Sequence, residues 1–426
     1  MLTRRGWVVV ATALVVAAAG LAFGTRALEQ LGVALVALPI IATAVVRLSR
    51  HDLGTTRAVT PQRTGATMPV NVSIEIVNHG SGPAPLILLE DRLPAGLGSS
   101  ARFTLAGVEP GGEREVEFVL RPPRRGRYEV GPLWINVVDP FGLAQLRSQA
   151  VPASTFLAHP RAERLSAPRA HGERRSAASP IRQLSGARGE DFYTLREYVE
   201  GDDLRKIHWA STAKRDRYMI RQEETPWQAR ATIVLDDRRR AHDGVGASSS
   251  FEHAVEAAAS LVDLYARSGY GFRLVGATSQ GLPSTKGSAH RNRCMDLLAT
   301  IELSSTTDEA LAARLAELEA SSSLEATLVL VAGTLTPRDG AALTRCARRW
   351  RQIIAISYPA HRFGSGTTKS RWAGEKQAMD VAESLTRSGA RVLVLGPDES
   401  FPAAWGALWS SKPETRGAWG PRPEFV

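Results

Sequence analysis

Two runs of apolar residues without a charge open the chain. The first extends from Trp7 to Gly24 and the second from Leu31 to Val46, with six residues between them. Each run is close to the lower limit of the roughly 17–25 residues that cross a bilayer as a helix. Both are apolar on all sides, which is typical of membrane-spanning helices. We predict a transmembrane hairpin over residues 1–50; a cleaved signal peptide formed by the first run alone is the alternative.

Flanking charges predict how this hairpin is oriented. Arg4 and Arg5 precede the first run, and Arg47 and Arg50 follow the second, whereas the connection holds one arginine and one glutamate. Because cytoplasmic flanks of membrane helices are rich in arginine and lysine, both ends of the hairpin are expected in the cytosol. We therefore expect a multi-pass protein of the cell membrane, with both termini and all soluble domains cytoplasmic.

Residues 52–158 alternate between apolar and polar positions. The period of two is clearest over residues 70–78, and it predicts a half-buried strand there. Similar segments, separated by Gly/Pro/Ser turns, are 86–91, 114–122, 127–139 and a return strand near 143–150. Several short strands at this spacing predict an antiparallel β-sandwich-like domain. Residues 139–142 are expected to form a turn whose Phe141 covers the core.

Residues 229–400 show a different pattern, in which apolar strands alternate with amphipathic helices. The predicted strands are 231–237, 272–278, 326–333, 353–358 and 391–396, and the predicted helices are 251–269, 290–302, 307–320, 337–350 and 373–388. This order predicts a parallel sheet covered on both faces, so the fold class is α/β and β. Ligands of such sheets bind at the carboxyl ends of the strands.

Two segments lack enough large apolar residues to form a core. Residues 159–187 are rich in Arg, Ala, Ser and Pro, and we predict a flexible linker. Residues 410–426 are rich in Pro, Gly and Trp, and we predict a disordered tail.

Composition restricts the chemistry. The formal net charge is +10, but the arginines are scattered through all regions, so no specific nucleic-acid partner is expected. Only Cys294 and Cys346 occur, far apart, which fits a reducing compartment without disulfides or a zinc site. Phosphate-loop, GxSxG, HExxH and GxGxxG motifs are absent. We therefore expect neither an enzyme nor a cofactor.

Residues 188–228, the signature segment, combine dense charge with aromatic residues. One of the adjacent Asp202 and Asp203 is suited to cap a short helix, with Arg205 one turn away to pair with it. Trp209 would then bury its ring below this network. Three interpretations stay open: a structural ion-pair clamp, a docking surface for a partner, and a catalytic or metal site. The residues concerned are Arg196, Tyr198, Asp202, Asp203, Arg205, His208 and Trp209.

The same segment resembles the bacterial family called domain of unknown function 58. The family pattern is of the type G-x-x-F-x-x-x-R-x-Y-x-x-G-D-D-x-R-x-I-x-W. This chain matches it at Gly189, Phe192, Arg196, Tyr198, Gly201, Asp202, Asp203, Arg205, Ile207 and Trp209. Ala213, Lys214 and Glu223 or Glu224 match the downstream positions, whereas His208 stands where many members have aspartate.

The resemblance implies a von Willebrand factor A-like fold for residues 229–400. That fold often holds a divalent cation with D-x-S-x-S after the first strand. Here only Asp236 matches, because Arg238 and Arg240 stand at the serine positions. We expect a degenerate site that binds no metal, with Asp236 and Asp237 ion-paired instead.

The resemblance also implies partners. Family members are often encoded beside MoxR-type AAA+ ATPases and transglutaminase-like membrane proteins. We therefore expect a membrane-anchored interaction or scaffold protein that works with a MoxR-type ATPase in complex assembly or cell-envelope homeostasis. The alternative is a divalent-metal-dependent binding protein or hydrolase that uses Asp202, Asp203 or Asp236.

Overall fold

A computed structural model describes most of the chain. The described residues are 2–48, 53–84, 86–139, 141–166, 193–197, 207, 209–215, 217–223, 230–305, 309–320 and 326–410. They belong to two compact units, one formed by Met1–Arg161 with Asp296–Thr300 and the other by Ala162–Met295 with Ile301–Val426. The predictions for residues 167–187 of the linker and for 411–426 of the tail lie outside the described residues.

The two apolar runs form two long helices, as predicted. These are α1 (Arg4–Phe23) and α2 (Arg26–Leu48), of 20 and 23 residues. Thr3 begins α1 by accepting a hydrogen bond from Gly6 N at 3.1 Å. The helices approach closely, since a Cβ added at Gly32 would lie 2.7 Å from Ala17 Cβ. Length and composition make both helices compatible with membrane anchoring.

Ten strands follow among the described residues of the first unit. They are β1 (Leu53–Thr60), β2 (Arg63–Gly65), β3 (Val70–Asn78), β4 (Leu86–Arg92), β5 (Ser100–Leu105), β6 (Glu113–Leu120), β7 (Gly126–Val130), β8 (Leu133–Val138), β9 (Gln145–Val151) and β10 (Ser154–His159). The sheet orders are β1-β3-β6, β5-β4-β8-β9 and β2-β10-β7. All neighbours are antiparallel except β2 and β10.

Two of these sheets share one core. Ile74 and Ile76 of β3 belong to the same buried cluster as Ile87 of β4 and Ile135 of β8. Along β3 the apolar side chains are buried at every second residue from Val70, which confirms the strand predicted at 70–78.

Three expectations for this unit were wrong. The single strand predicted at 127–139 is divided at Gly131, whose φ of 105° turns the chain so that β7 and β8 join different sheets. Phe141 does not cover the core, because its side chain is 72% exposed. The linker prediction began too early, since His159 ends β10 and Leu165 is buried.

The second unit contains a β-hairpin and a large sheet. The hairpin is β11 (Tyr193–Glu197) and β12 (Met219–Glu223), with α3 (Trp209–Arg215) between its strands. The sheet strands are β13 (Arg230–Leu235), β14 (Gly271–Gly276), β15 (Leu282–Thr285), β16 (Ala326–Ala332), β17 (Gln352–Ser357) and β18 (Arg391–Val394). The helices are α4 (Ser250–Arg267), α5 (Ser288–Thr300), α6 (Ala310–Ala320), α7 (Pro337–Cys346), α8 (Thr368–Arg387) and α9 (Phe401–Ser410).

The strands of the large sheet follow the order β15-β14-β13-β16-β17-β18. Five are parallel, and β15 pairs with β14 in the antiparallel direction. This confirms the predicted parallel core of an α/β fold and adds an antiparallel edge strand. The helix α9 extends the unit past the predicted end at residue 400; the Nε1 of its buried Trp405 donates to Ser166 O at 3.0 Å.

Candidate functional site

A buried polar centre lies where the central strand β13 ends. The strand is apolar because helices cover both faces of a parallel sheet, and its ladder extends to Asp236, whose N–H donates to Val331 O at 2.8 Å. Asp236, Asp237 and Arg238 follow and are all buried. Charged side chains are almost never buried without a partner, so the partners of these three define what the centre can do.

Arg238 binds two aspartates at once. Its Nε and Nη2 donate to the two carboxylate oxygens of Asp236, both at 2.8 Å. Nη2 also donates to Asp339 Oδ2 at 3.1 Å. Burial acts to lower the pKa of Arg238, but hydrogen bonds and charge from Asp236 and Asp339 outweigh it and raise this pKa. The guanidinium therefore stays charged, and the predicted ion pair of Asp236 is confirmed.

Asp339 is held in place by the start of α7. Thr336 precedes this helix, and its Oγ1 accepts from Asp339 N at 3.2 Å, while Asp339 Oδ2 accepts from Thr336 N at 3.0 Å. Pro337 occupies the first turn, where its missing N–H is no loss. This reciprocal capping box orients the carboxylate, so Asp339 both caps α7 and binds Arg238.

Asp237 differs from the expectation that it would be ion-paired. Its carboxylate accepts from the N–H and the hydroxyl of Thr278, each at 2.8 Å, and from Ser279 N at 3.1 Å. These donors follow β14, the neighbouring parallel strand. Asp237 was therefore wrongly assigned to an ion pair: it fixes the loop after β14 through hydrogen bonds.

His242 and Ser250 complete the centre. His242 Nε2 lies 2.8 Å from the carbonyl oxygen of Asp236, which can only accept, so Nε2 carries a proton. Nδ1 lies 3.1 Å from Ser250 Oγ. Burial lowers the pKa of His242, so the ring is neutral and Nδ1 accepts from the serine hydroxyl. This hydroxyl–imidazole pair has the geometry of a nucleophile and its base, but Ser250 is completely buried and no substrate can reach it.

The chemistry of the centre follows from these contacts. The carboxylates of Asp236, which follows β13, and of Asp339, in α7, are both bound to the guanidinium of Arg238. The guanidinium lies between them, where a metal ion would otherwise lie. Among the residues that the structure describes, no group of three His, Cys, Asp or Glu side chains is arranged to hold a metal ion. The centre is suited to join the end of β13 to α7 and not to bind a ligand.

Sequence reasoning missed Asp339, His242 and Ser250. Asp339 carried a usable signal: T-P-R-D follows a predicted strand, and a threonine with an acidic residue three positions later begins a helix. Since parallel strands end at the same sheet edge, this signal would have allowed Asp339 to be placed near Asp236. His242 stands in the irregular segment before α4 and Ser250 is the first residue of that helix, and neither carried such a signal.

The signature segment is only partly described. Arg196 lies in β11, with its backbone opposite Ile220 of β12. Tyr198, Asp202, Asp203, Arg205 and His208 lie outside the described residues. Trp209 begins α3 and is 67% exposed, so the expectation that it buries its ring was wrong. Tyr218, just before β12, is also exposed. The segment thus presents aromatic side chains outward.

A second surface feature lies between α7 and α8. An open groove of about 400 Å³ is lined by residues that include Pro337, Trp372, Lys376 and Val381. Trp372 is 70% exposed, and Lys376 Nζ lies 5.9 Å from its ring centre. This tryptophan matches Trp209 in exposure but lies in a helix outside the signature segment.

No curated protein matches the chain. Solved structures resemble parts of it. A CARDB domain from Pyrococcus furiosus, in complex with di-metal ions, is 17% identical over 25% of this chain and 86% of that chain, with a TM-score of 0.19. The putative ApaA protein from Bordetella pertussis is 17% identical over 25% of this chain and 94% of that chain, also at 0.19. Red sea bream transglutaminase is 18% identical over 25% of this chain and 15% of that chain, with a TM-score of 0.18.

TM-scores this low do not show a shared fold. The family comparison is more specific. The family model described as "Protein of unknown function DUF58" matches residues 194–362, which extend from β11 to the turn after β17 and include the buried centre. Through residues 194–362 the chain belongs to the DUF58 family.

Proposed function

We propose that this protein is a membrane-anchored interaction protein that holds its α/β unit in the cytosol and binds a MoxR-type AAA+ ATPase without catalysis of its own. The hairpin of α1 and α2 serves as the anchor. The β-sheets of the first unit form a sandwich-like spacer, and the second unit carries the partner surface.

The observation that carries this proposal is the exposure of Trp209. A tryptophan in water exposes a large apolar ring, and tryptophan is among the residues most enriched at the energetic centres of protein interfaces. It lies in the segment that this chain shares with its family, and Tyr218 adds a second exposed aromatic ring nearby in sequence. We infer that the face of α3 is the docking surface.

The buried centre supports a role without catalysis. The sheet order and the aspartate after the central strand support a von Willebrand factor A-like fold for residues 229–400. In that interpretation Arg238 stands where such a fold often holds a divalent cation. Its contacts with Asp236 and Asp339 use the carboxylates that a cation would need, so the strand ends serve stability.

The test is co-purification of the ATPase from native membranes with the full-length chain. Trp209→Ala is compared with Trp372→Ala, which removes an equally exposed tryptophan from α8. We expect the wild type and Trp372→Ala to retain a MoxR-type ATPase and Trp209→Ala to lose it. Equal retention by both variants would refute docking at α3. A wild-type chain that retains no such ATPase would refute the partner.

A further inference from the structure

The turn between β8 and β9 is bound to the beginning of α1. Thr3 N donates to Leu143 O at 2.9 Å, and Thr3 Oγ1 donates to Gly142 O at 2.6 Å. Leu2 and Ala144 form an isolated antiparallel bridge. Gly6 completes this contact, because an added Cβ would collide with the Leu143 carbonyl. The turn is therefore fixed at one end of the helical hairpin.

The end of α2 packs on the same turn. Ala42 and Val46 belong to one buried apolar cluster with Leu143 and Ala144, and the partly buried Val9 of α1 packs against it. The helix ends that meet here carry the exposed arginines Arg4, Arg5 and Arg47. Arginines at the ends of membrane helices lie at the level of the lipid headgroups. If α1 and α2 span a bilayer, the turn lies at that level too.

Phe141 is at the tip of this turn. The Asp139 carboxylate accepts from Phe141 N at 2.8 Å, and Gly142 N donates to Asp139 O at 2.9 Å. These bonds fix the backbone while the Phe141 ring is exposed to solvent. Most of the apolar surface of Phe141 is therefore exposed, on a turn whose backbone is hydrogen-bonded.

The side chains on one face of the sheet beside the turn change from apolar to charged along β4. Next to the turn, the exposed Leu86 of β4 pairs with Val138 of β8. Four residues further along β4, Glu90 forms ion pairs with Arg102 and Arg147, at 2.9 and 3.0 Å. Apolar side chains thus lie at the end near the membrane helices, and ionic ones lie away from it.

We propose that Phe141 inserts into the interfacial layer of a phospholipid bilayer, so that the β8–β9 turn rests on the membrane and fixes the orientation of the β-sheets above it. This inference rests on the proposed membrane anchoring of α1 and α2. The partner is the bilayer itself. The aromatic ring suits the interface, where aromatic side chains of membrane proteins are enriched.

The experiment measures the depth of nitroxide labels on the full-length chain in nanodiscs of phosphatidylcholine and phosphatidylglycerol. Labels are attached to Phe141→Cys, to Val15→Cys in the middle of α1, and to Val119→Cys. Cys294 and Cys346 are buried, so the labels attach to the introduced thiols. Val119 is the matched control, because it is also exposed. It pairs with Asn71 of β3. Asn71 is seven residues from Asn78, the end of β3 that pairs with Leu53, the first residue of the strand that follows α2 in the chain. At about 3.3 Å per residue, Val119 is roughly 20 Å further from the bilayer.

We expect the label at position 141 to lose collisions with a water-soluble nickel complex and to gain collisions with oxygen, relative to position 119. Equal collision rates at 141 and 119, with position 15 inside the bilayer, overturn the proposal and leave the membrane anchor intact. A label at position 15 that is accessible to nickel shows instead that the hairpin does not span the membrane. Because position 141 is exposed, its substitution leaves the core unchanged.

Discussion

Arg238 Nη2 donates to Asp339 Oδ2 at 3.1 Å, across 101 positions of sequence. This contact joins the end of β13 to the first turn of α7, and both side chains are buried. A guanidinium with two carboxylates is stable in the protein interior only while all of its partners are present. The stability of the α/β unit is therefore expected to depend on this one arginine.

Arg238→Ala is predicted to lower the free energy of unfolding by about 3–5 kcal/mol, because it leaves two buried carboxylates without a cation. Urea denaturation of the full chain in detergent measures it, with the fluorescence of the buried Trp350 and Trp405 as signal. Arg239→Ala is the control, since Arg239 is exposed. A variant as stable as the control would contradict this account.

Divalent cations are predicted not to stabilise the wild-type α/β unit but to stabilise Arg238→Ser. The substitution removes the guanidinium, adds a hydroxyl and leaves Asp236 and Asp339 free to bind Mg²⁺ or Mn²⁺, which prefer oxygen ligands. Thermal unfolding with and without each metal is the measurement. The double variant Arg238→Ser with Asp339→Asn should lose the effect. Stabilisation of the wild type by Mg²⁺, Mn²⁺ or Ca²⁺ would favour the metal-dependent alternative.

Glu375 of α8 is predicted to give stability that is lost in acid. Hydrogen bonds from Arg362, and further bonds and charge from His361, outweigh burial and lower the pKa of Glu375 to about 2 from 4.5. Because the folded pKa is the lower one, the stabilisation is complete above pH 4.5 and is lost as the pH falls towards 2.

Glu375→Gln should therefore cost about 1 kcal/mol near neutral pH, a value reduced for its partial exposure, and the cost should decrease between pH 4.5 and 2. Chemical denaturation as a function of pH tests this. The control is Glu383→Gln on the same helix, where a well-exposed pair with Arg387 at 3.9 Å contributes little. A cost that is independent of pH would show that Glu375 acts through packing.

Both cysteines are predicted to be unreactive in the folded protein. Burial raises the pKa of Cys294 to about 12 and that of Cys346 to about 11, so hardly any thiolate is present at neutral pH. A thiol-specific dye should react with both only after denaturation. Rapid modification of the native chain would contradict their burial.

This lack of reactivity allows a test of topology. In intact cells, a membrane-impermeant maleimide should label Thr25→Cys in the connection between α1 and α2 and should not label Val245→Cys. Both positions are exposed in the structure, so a difference in their labelling would report on which side of the membrane each one lies. Labelling of Val245→Cys alone would reverse the predicted orientation, and labelling of both would place the α/β unit outside the cytosol.

The sequence predicted the elements whose periodicity is strong. The alternation of Val70, Val72, Ile74 and Ile76 matches β3 at both ends. The sequence did not predict strands whose formation depends on pairing with distant segments of the chain. β1 is rich in threonine, and β10 has only three apolar residues, so neither was predicted. The strands that pair with them supply their order. The break at Gly131 separates two strand-like segments, and only the different sheets that β7 and β8 join show that they are separate strands.

The sequence also predicted only part of the buried site. Asp236 was expected at a strand end with an arginine at the second following position, and both are found in contact there. Which of Asp236 and Asp237 pairs with an arginine depends on the direction in which each side chain leaves the strand. The loop after β14 and the helix α7 determine that direction. Trp209 was expected to bury its ring below the ion-pair network of Asp202, Asp203 and Arg205. In the structure Trp209 begins α3 and its side chain is exposed.

Arg238 also differs from a bound metal ion, because it cannot leave its site. A bound ion has an occupancy that follows its concentration, and a chelator can remove it. A guanidinium attached to the backbone has neither property. The position between Asp236 and Asp339 is therefore occupied by Arg238 from the moment of folding, whatever the ionic state of the cell.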